Sequence, residues 1–360
     1  MDIRKSNESV NLQITQKELE ELRRVEIEEY MQKTKLKRYA GILKQNWQVY
    51  AMLVPVLLFF ILFRYKPVGE MIAAFTEYDP KLSAYDSQFY GFYALRNIMF
   101  GTEAVKFWRA FRNTFTLSMY GLLFGFPIPI FLALMFSEIK NSGYRAVTQI
   151  LTYLPKFIST VVITSLLSLM LMGGNGGNIG PGVLNRLLQA LGVIGQQVQV
   201  LDSPKYFRSV YILSDIWEGA GYGSIVYFAA IMAISPTNYE AAKIDGANKL
   251  AQIRYVTLPG MAPTLTVMLI LRIGSVLSLG YEKVMLMTQN RGEAVLETAE
   301  VISTYVLGMG GLLTSSPNSG TSSTAQALAT SADLFNSLIA MFLVLGANFI
   351  SRRVSDTSLF

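Results

Sequence analysis

Six apolar segments alternate with polar ones along the chain, at about 48–63, 114–136, 147–172, 209–234, 262–285 and 334–350. A helix needs about 20 mostly apolar residues to cross a bilayer core. Each segment is read as one span. The first is short, with Trp47 and Tyr50 placed to sit at the interface. Pro127 and Pro129 predict a kink in the second span, because proline removes a backbone donor that neighbours must replace. The third carries Pro155 and Lys156 a few turns in. The pattern predicts an all-α integral membrane protein of six transmembrane helices. Residues 1–46 form a charged, helix-compatible arm, 47–350 the membrane domain and 351–360 a tail.

Between the fourth and fifth segments the pattern breaks. Residues 235–261 carry Glu240, Lys243, Asp245, Lys249 and Arg254. A charge at a span's centre costs roughly 2.5–3.5 kcal/mol even on mild scales, so this stretch belongs in water beside the membrane. It reads as two short helices. Pro236 fits a first helical position, and Thr237 with Glu240 fits a capping box. Gly246 stands where the first helix must turn, Asn248 fits a cap of the second, and Pro259 is expected to end it. Ala241, Ala242, Ile244, Ala247, Leu250 and Ile253 give the pair small, apolar faces. Taken alone, this is an amphipathic interfacial helix-turn-helix.

The other polar stretches say less. Residues 15–18, Thr-Gln-Lys-Glu, fit a capping box within the arm, and Lys33 to Lys44 form a basic run before the first span. Residues 65–110 are rich in aromatic rings, which predicts folding onto the membrane surface or a partner. The run 173–182 is glycine-rich but lacks the Gly-Lys-Ser/Thr ending of a phosphate loop, and reads as a flexible turn. A short amphipathic helix is expected over 183–201. The polar insert 288–330 is Ser/Thr/Gly-rich from 314 to 324.

Charge orients this layout. Lys and Arg number 17 in segments 1–46, 137–146, 235–261 and 351–360, against 9 in 65–111, 173–208 and 288–330. The positive-inside rule therefore puts both termini and the 235–261 loop in the cytoplasm. Of the 360 residues 51% are apolar and 16% charged, where a soluble domain carries about 25% charged. The net charge of +6 is spread between spans rather than gathered in one patch, which argues against nucleic acid. With no Cys and no His, disulfides, thiolate chemistry, the usual zinc sites and His-based catalysis are excluded. The polar first 46 residues are not the pattern of a cleavable signal.

The order Glu240-Ala241-Ala242, then Gly246, then Leu258-Pro259 resembles the EAA loop of permease subunits of binding-protein-dependent bacterial ABC importers. Tyr153-Leu154-Pro155, Asp215-Ile216-Trp217, Leu271-Arg272-Ile273-Gly274 and Gly280-Tyr281-Glu282-Lys283 are similar to the branch that imports oligosaccharides and polysaccharide fragments. The resemblance runs from about 47 to the C-terminus, and implies the type I importer permease fold. It also implies a second homologous permease, two ATPase subunits, an extracytoplasmic solute-binding protein and an oligosaccharide substrate. ATP and Mg would sit on the ATPase partners, and this chain would bind no cofactor and no metal. The segments 65–110, 173–207 and 288–330 would receive the binding protein. In such a permease the loop is the coupling helix. Glu240 would orient it, Gly246 form its turn, and Ala241, Ala242 and Ala247 allow close approach of the ATPase. Asp245, Leu258 and Pro259 complete the motif.

Lacking a phosphate-loop motif, the chain cannot hydrolyse ATP by that mechanism. Charged residues within spans are the second signal: Lys156, Asp215, Glu218, Arg272, Glu282 and Lys283. Asp215, Trp217, Glu218 and Tyr222, with Lys156 and Glu282, mix carboxylates, rings and a cation as a sugar path requires. Structural ion pairs or interfacial positions account for the same residues. A basic residue such as Lys156 or Arg272 would favour an anionic saccharide, but Arg272 belongs to the resembled pattern and is assigned to stabilising the fold. An ion-coupled secondary transporter is the alternative function, supported by the intramembrane charges, but neither the repeated halves nor the discontinuous helices typical of such folds are expected from the sequence. A membrane enzyme is a third, left with only carboxylate or lysine chemistry.

Overall fold

The computed structural model describes residues 39, 41–42, 44–77, 84–173, 181–195, 198–289, 291–311 and 323–354. The arm with its capping box, most of the glycine run, residues 314–322 and 355–360 lie outside them. The described residues fall into two units divided between Glu70 and Met71.

The first unit is a helix over Trp47–Phe60 that continues through a π turn at Ile61–Tyr65 into Lys66–Glu70. The π turn has a local cause. Pro67 follows it and offers no N–H, and widening the turn lets the Lys66 N–H reach back to Ile61 O instead. The helical path reaches Phe75 as a 29-residue candidate span, so the first span is not limited to its short apolar run. No residue of Trp47–Phe60 is buried.

The second unit holds three more helices long and apolar enough to cross a membrane: Ala104–Glu138, Lys249–Gly274 and Thr324–Arg353. Two bent pairs raise the possible count to six. One is Ser142–Phe157 with Thr160–Leu171, bent by 94°; the other is Pro204–Met232 with Pro236–Ile244, bent by 68°. The protein is thus helical and membrane-spanning. A two-residue antiparallel ribbon, Thr76–Glu77 on Gln88–Phe89, is its one β element among the described residues.

Three spans differ from their predicted form. The third is not one helix. A 3-10 turn, Leu154–Phe157, follows Tyr153, Ile158 is extended, and the Ser159 hydroxyl accepts from Val161 N to start a new helix. The fifth begins and ends earlier than 262–285. It runs unbroken through Pro259, because a second π turn, Ile253–Thr257, lets the Leu258 N–H reach Ile253 O just ahead of the proline. It stops at Gly274, and Tyr281–Thr288 is a separate short helix. The sixth is longer than 334–350, a 32-residue helix over Ser323–Val354. In the second span, Pro127 interrupts the helix at Phe126 alone, and Pro127–Glu138 continues it.

Residues 291–309, read as part of a polar insert, are built into the core. Asn113 is fully buried and donates to the carbonyls of Glu297 (2.9 Å) and Glu300 (3.1 Å), while Arg208 donates to its Oδ1 (2.8 Å). Arg109 grips the Glu300 carboxylate with two N–H groups. Val295, Ala299 and Val301 pack with Leu117, Phe207, Tyr211 and Met287. Of the rings of 65–110, Phe107 is fully buried and packs on Phe111, Tyr305 and Phe335, whereas Tyr85, Phe89, Tyr90, Phe92 and Tyr93 are exposed. The short helix expected over 183–201 forms at Val183–Ala190, anchored by buried Asn185, which donates to Leu171 O and Val198 O, both at 3.0 Å.

The Pro204–Met232 helix is the axis of this unit, packing on the second span and on the Ser142–Tyr153 helix. Gly221 makes the latter contact possible, since a Cβ there would collide with the Thr152 carbonyl. At Gly219 a Cβ would meet nothing within 4 Å. Gly221→Val should therefore destabilise the chain by about 1–3 kcal/mol, as overpacking does, while Gly219→Ala stays within about 0.5 kcal/mol. Thermal unfolding of the detergent-solubilised protein checks both.

Candidate functional site

Five charged side chains from four segments meet midway along the Pro204–Met232 helix. Glu218 stands at the centre, on a turn facing the elbow of the broken third span. Its Oε1 accepts from Lys156 Nζ at 3.1 Å, and its Oε2 from Lys283 Nζ at 3.2 Å. Lys283 Nζ also lies 3.7 Å from Asp215 Oδ1, and Arg272 Nη2 lies 4.0 Å from Asp215 Oδ2. The chain of charges is thus Lys156, Glu218, Lys283, Asp215, Arg272, with three cations and two carboxylates for a net charge of +1. Lys283 is additionally seated 5.4 Å from the centre of the Tyr211 ring.

Each position has a local cause. The 94° break brings Lys156 off the 3-10 turn toward the axis helix. Asp215 and Glu218 are three residues apart and so share one helix face. The end of the fifth helix at Gly274, followed by Ser275–Gly280, lets the next helix return with Lys283 inward. Asn336 holds that connection by donating to Leu277 O at 3.0 Å.

Burial divides the group. The side chains of Glu218 (11% exposed) and Lys283 (9%) are enclosed, whereas those of Lys156, Asp215 and Arg272 are each more than 40% exposed. They open into a cavity of about 460 Å³, which Tyr222, Tyr227, Phe126 and Met268 also line. Aromatic rings and ionic groups around one open space can stack on sugar faces and hydrogen-bond hydroxyls. Tyr222 is held edge-on against Phe157, with ring centres 6.1 Å apart.

Of the residues assigned to a substrate path, Lys156, Asp215, Glu218 and Tyr222 come together here. Trp217 and Glu282 are exposed and are not among the residues lining the cavity. The sequence reading counted Lys283 among the charges within spans but chose its neighbour Glu282 for the path, and it weighed Arg272 for an anionic saccharide before assigning it to the fold. Both carried the signal that found the others, a charge inside an apolar segment.

At one end of the bundle lies the 235–261 loop. Its first helix, Pro236–Ile244, leaves the axis helix at 68° and has no buried residue. The expected capping box is absent. Pro236 occupies a first-turn position, which moves the cap to Ser235 and leaves Thr237 and Glu240 inside the helix. Gly246 turns the chain with φ +78°, and Asn248 caps Lys249–Gln252 by accepting from Ala251 N at 2.9 Å. Glu240, Ala241, Asp245 and Gly246 are exposed; Ala242 and Ala247 are half-buried. Ile244 (87% exposed) and Leu250 (75%) project from the loop. Leu258 and Pro259 begin the membrane part of the fifth helix. The loop is braced: Lys249 donates to Glu138 at 2.7 Å, and the hydroxyls of Tyr239 and Thr257 lie 3.1 Å apart. No cluster of His, Cys, Asp and Glu suited to a metal occurs among the described residues.

A broken-span helical bundle with a charged central cavity and a braced, exposed loop defines a membrane transport subunit. Residues 125–355 match the binding-protein-dependent transport system inner membrane component family, and the chain belongs to it. It is 33% identical to protein LplB of Bacillus subtilis, covering 89% of this chain and 94% of that one. With the polygalacturonan/rhamnogalacturonan transport system permease protein YteP of the same organism it shares 32% identity, over 91% and 95% of the two chains. Its fold is similar to that of a chain in a crystal structure of a bacterial ABC transporter involved in import of the acidic polysaccharide alginate. There the TM-score is 0.73 and the identity 38%, covering 88% of this chain and 99% of that one. A family of transport subunits working with a binding protein sets aside the ion-coupled carrier and the membrane enzyme.

The charge chain makes a prediction about stability. Removing one partner of an enclosed ion pair leaves the other uncompensated, so Glu218→Gln should cost about 3 kcal/mol. Adding Lys283→Met should recover at least half of that, while Lys156→Met, removing an exposed partner, should cost under about 1 kcal/mol. Thermal unfolding of the three variants reads the order.

Proposed function

We propose that this chain is the permease subunit of an ATP-driven importer that moves an oligosaccharide or polysaccharide fragment across the bacterial cytoplasmic membrane. The observation that carries the reading is the cavity of about 460 Å³, lined by rings and ionic groups, in a chain of this family. The relatives add the kind of cargo: two that align along nearly their whole length are named for acidic polysaccharides. The charge chain along the cavity wall, which counts Lys283 behind Glu218, sums to +1, and two of its cations, Lys156 and Arg272, face the cavity where such cargo would pass.

Lacking an ATPase motif, the chain draws its work from two ATPase subunits, which carry ATP and Mg, and it needs a second permease to complete the path. The exposed loop 235–261 is the coupling element, with Ile244 and Leu250 as its apolar contact and Glu240, Ala241, Ala242, Asp245, Gly246 and Ala247 shaping it. Nucleotide binding favours one of two states, so the cavity opens alternately to each side. The positive-inside count places the loop and both termini in the cytoplasm, and an extracytoplasmic binding protein delivers substrate to the opposite face. A solved relative is itself a complex with an alginate pentasaccharide-bound periplasmic protein.

Two substitutions test the coupling role. Proline cannot adopt the left-handed backbone of Gly246, and Glu240→Lys reverses an exposed charge. Gly246→Pro and Glu240→Lys should each reduce co-purification of the ATPase subunits and saccharide uptake, by about tenfold or more for a lost interface anchor. Insertion into the membrane should be retained. Full uptake in both variants would remove the loop from the mechanism.

A further inference from the structure

The cavity of about 460 Å³ is not the whole path. A second cavity of about 310 Å³ lies farther from the 235–261 loop, lined by Leu117, Ser118, Tyr211, Val276 and Ser278 among others. Asp215, Arg272 and Ser275 line both. These three residues therefore form the waist between two chambers stacked along the bundle.

Arg272 is built for that position. Gly121 and Gly125, one turn apart on the second span, each face its guanidinium, and a Cβ at either would lie 3.6 Å from Nη2. Its Nη2 lies over these two glycines, where side chains larger than alanine would crowd it. Its side chain is 45% exposed, and among the described residues it donates no hydrogen bond. Its one ion pair, to Asp215, is 4.0 Å long. Lys156 and Lys283, by contrast, are both engaged with Glu218 at hydrogen-bond distance. A guanidinium presents five donors in a planar fork that matches a carboxylate. Here the fork is held in place with its donors unspent. Just beyond it, in the far chamber, Ser118 is 7% exposed and its hydroxyl has no partner among the described residues.

The geometry points to Arg272 as the residue that selects acidic saccharides, resting on the reading of this chain as a saccharide importer. A uronate carboxylate passing the waist displaces Asp215 and takes the guanidinium in a bidentate pair. Asp215 then falls back on Lys283, 3.7 Å away, so no charge is left unpaired during the exchange. The weak resting pair is what makes the exchange easy. A neutral sugar lacks the group that opens it.

The test uses the full reconstituted complex in proteoliposomes, with its unaltered binding protein and trigalacturonate as the probe. Arg272→Gln should lower uptake about tenfold, the scale of one charge-assisted pair, and Arg272→Lys should recover a substantial part. Assembly of each complex is followed by size-exclusion chromatography. The double variant Asp215→Asn with Arg272→Gln separates selection from stability, because it neutralises both partners and leaves no unpaired charge behind. Uptake that stays low in the double variant supports carboxylate capture. Recovery to near wild-type uptake would make the pair a structural one and overturn the assignment. Wild-type transport of maltotriose but not trigalacturonate would also overturn it while leaving the importer reading standing. Transport of neither saccharide by the assembled wild-type complex would sink the importer reading itself.

Discussion

Glu218 is a carboxylate enclosed in the middle of a membrane bundle, and much of the architecture follows from keeping it paired. An unpaired charge there is untenable, so two ammonium groups must reach it. One comes from the elbow of the broken third span and the other from the short helix after the fifth. Neither segment would arrive there as a straight span. The 94° bend and the stop at Gly274 are therefore coupled to the same carboxylate. The opening beside it exists because broken helices cannot close-pack as straight ones do.

Small residues on the axis helix set how near its neighbours come. Gly221 admits the Thr152 backbone, whereas at Gly223 a Cβ would meet Pro129 only at ordinary contact distance, 3.5 Å from Cγ. Close helix approach through small residues is the usual route to packing where lipid gives no hydrophobic drive. The same economy appears at Gly121 and Gly125, where the space is filled by a guanidinium rather than by backbone.

What the sequence made legible follows from where its signals are local. The 235–261 loop was readable because charge density, Gly246 and Asn248 act within a few residues of themselves. Its capping box was misread because Pro236 moved the helix start upstream of Thr237. Pro259 was misread for a different reason: a π turn widens the helix just before it, and hydropathy carries no trace of that change. The break at 158–159 had local signals in Pro155, Lys156 and Ser159, but the segment's overall hydropathy carried it as one span. Lys283 was overlooked beside Glu282 because adjacent residues on a short helix point about 100° apart, and only the packing decides which faces in.

The loop and the waist are mechanically related. Lys249–Gly274 is one unbroken helical path from the loop to Arg272, about 35 Å of helix at 1.5 Å per residue. On the proposed reading, an ATPase pushing on Ile244 and Leu250 acts on a loop already tied to the second span by Lys249 and Glu138. That tie matters because Gly121 and Gly125, which seat the guanidinium, lie on the same second span. Motion at the loop end therefore reaches both walls of the Arg272 seat, the helix that bears the group and the helix it rests on. A seat whose two sides move together carries the guanidinium without spreading open. A seat whose sides shear past one another would change how Arg272 meets Asp215, and a pair already 4.0 Å long has little to resist the change. On that reading, the waist is where a displacement at the loop would become a change of affinity for an anionic group.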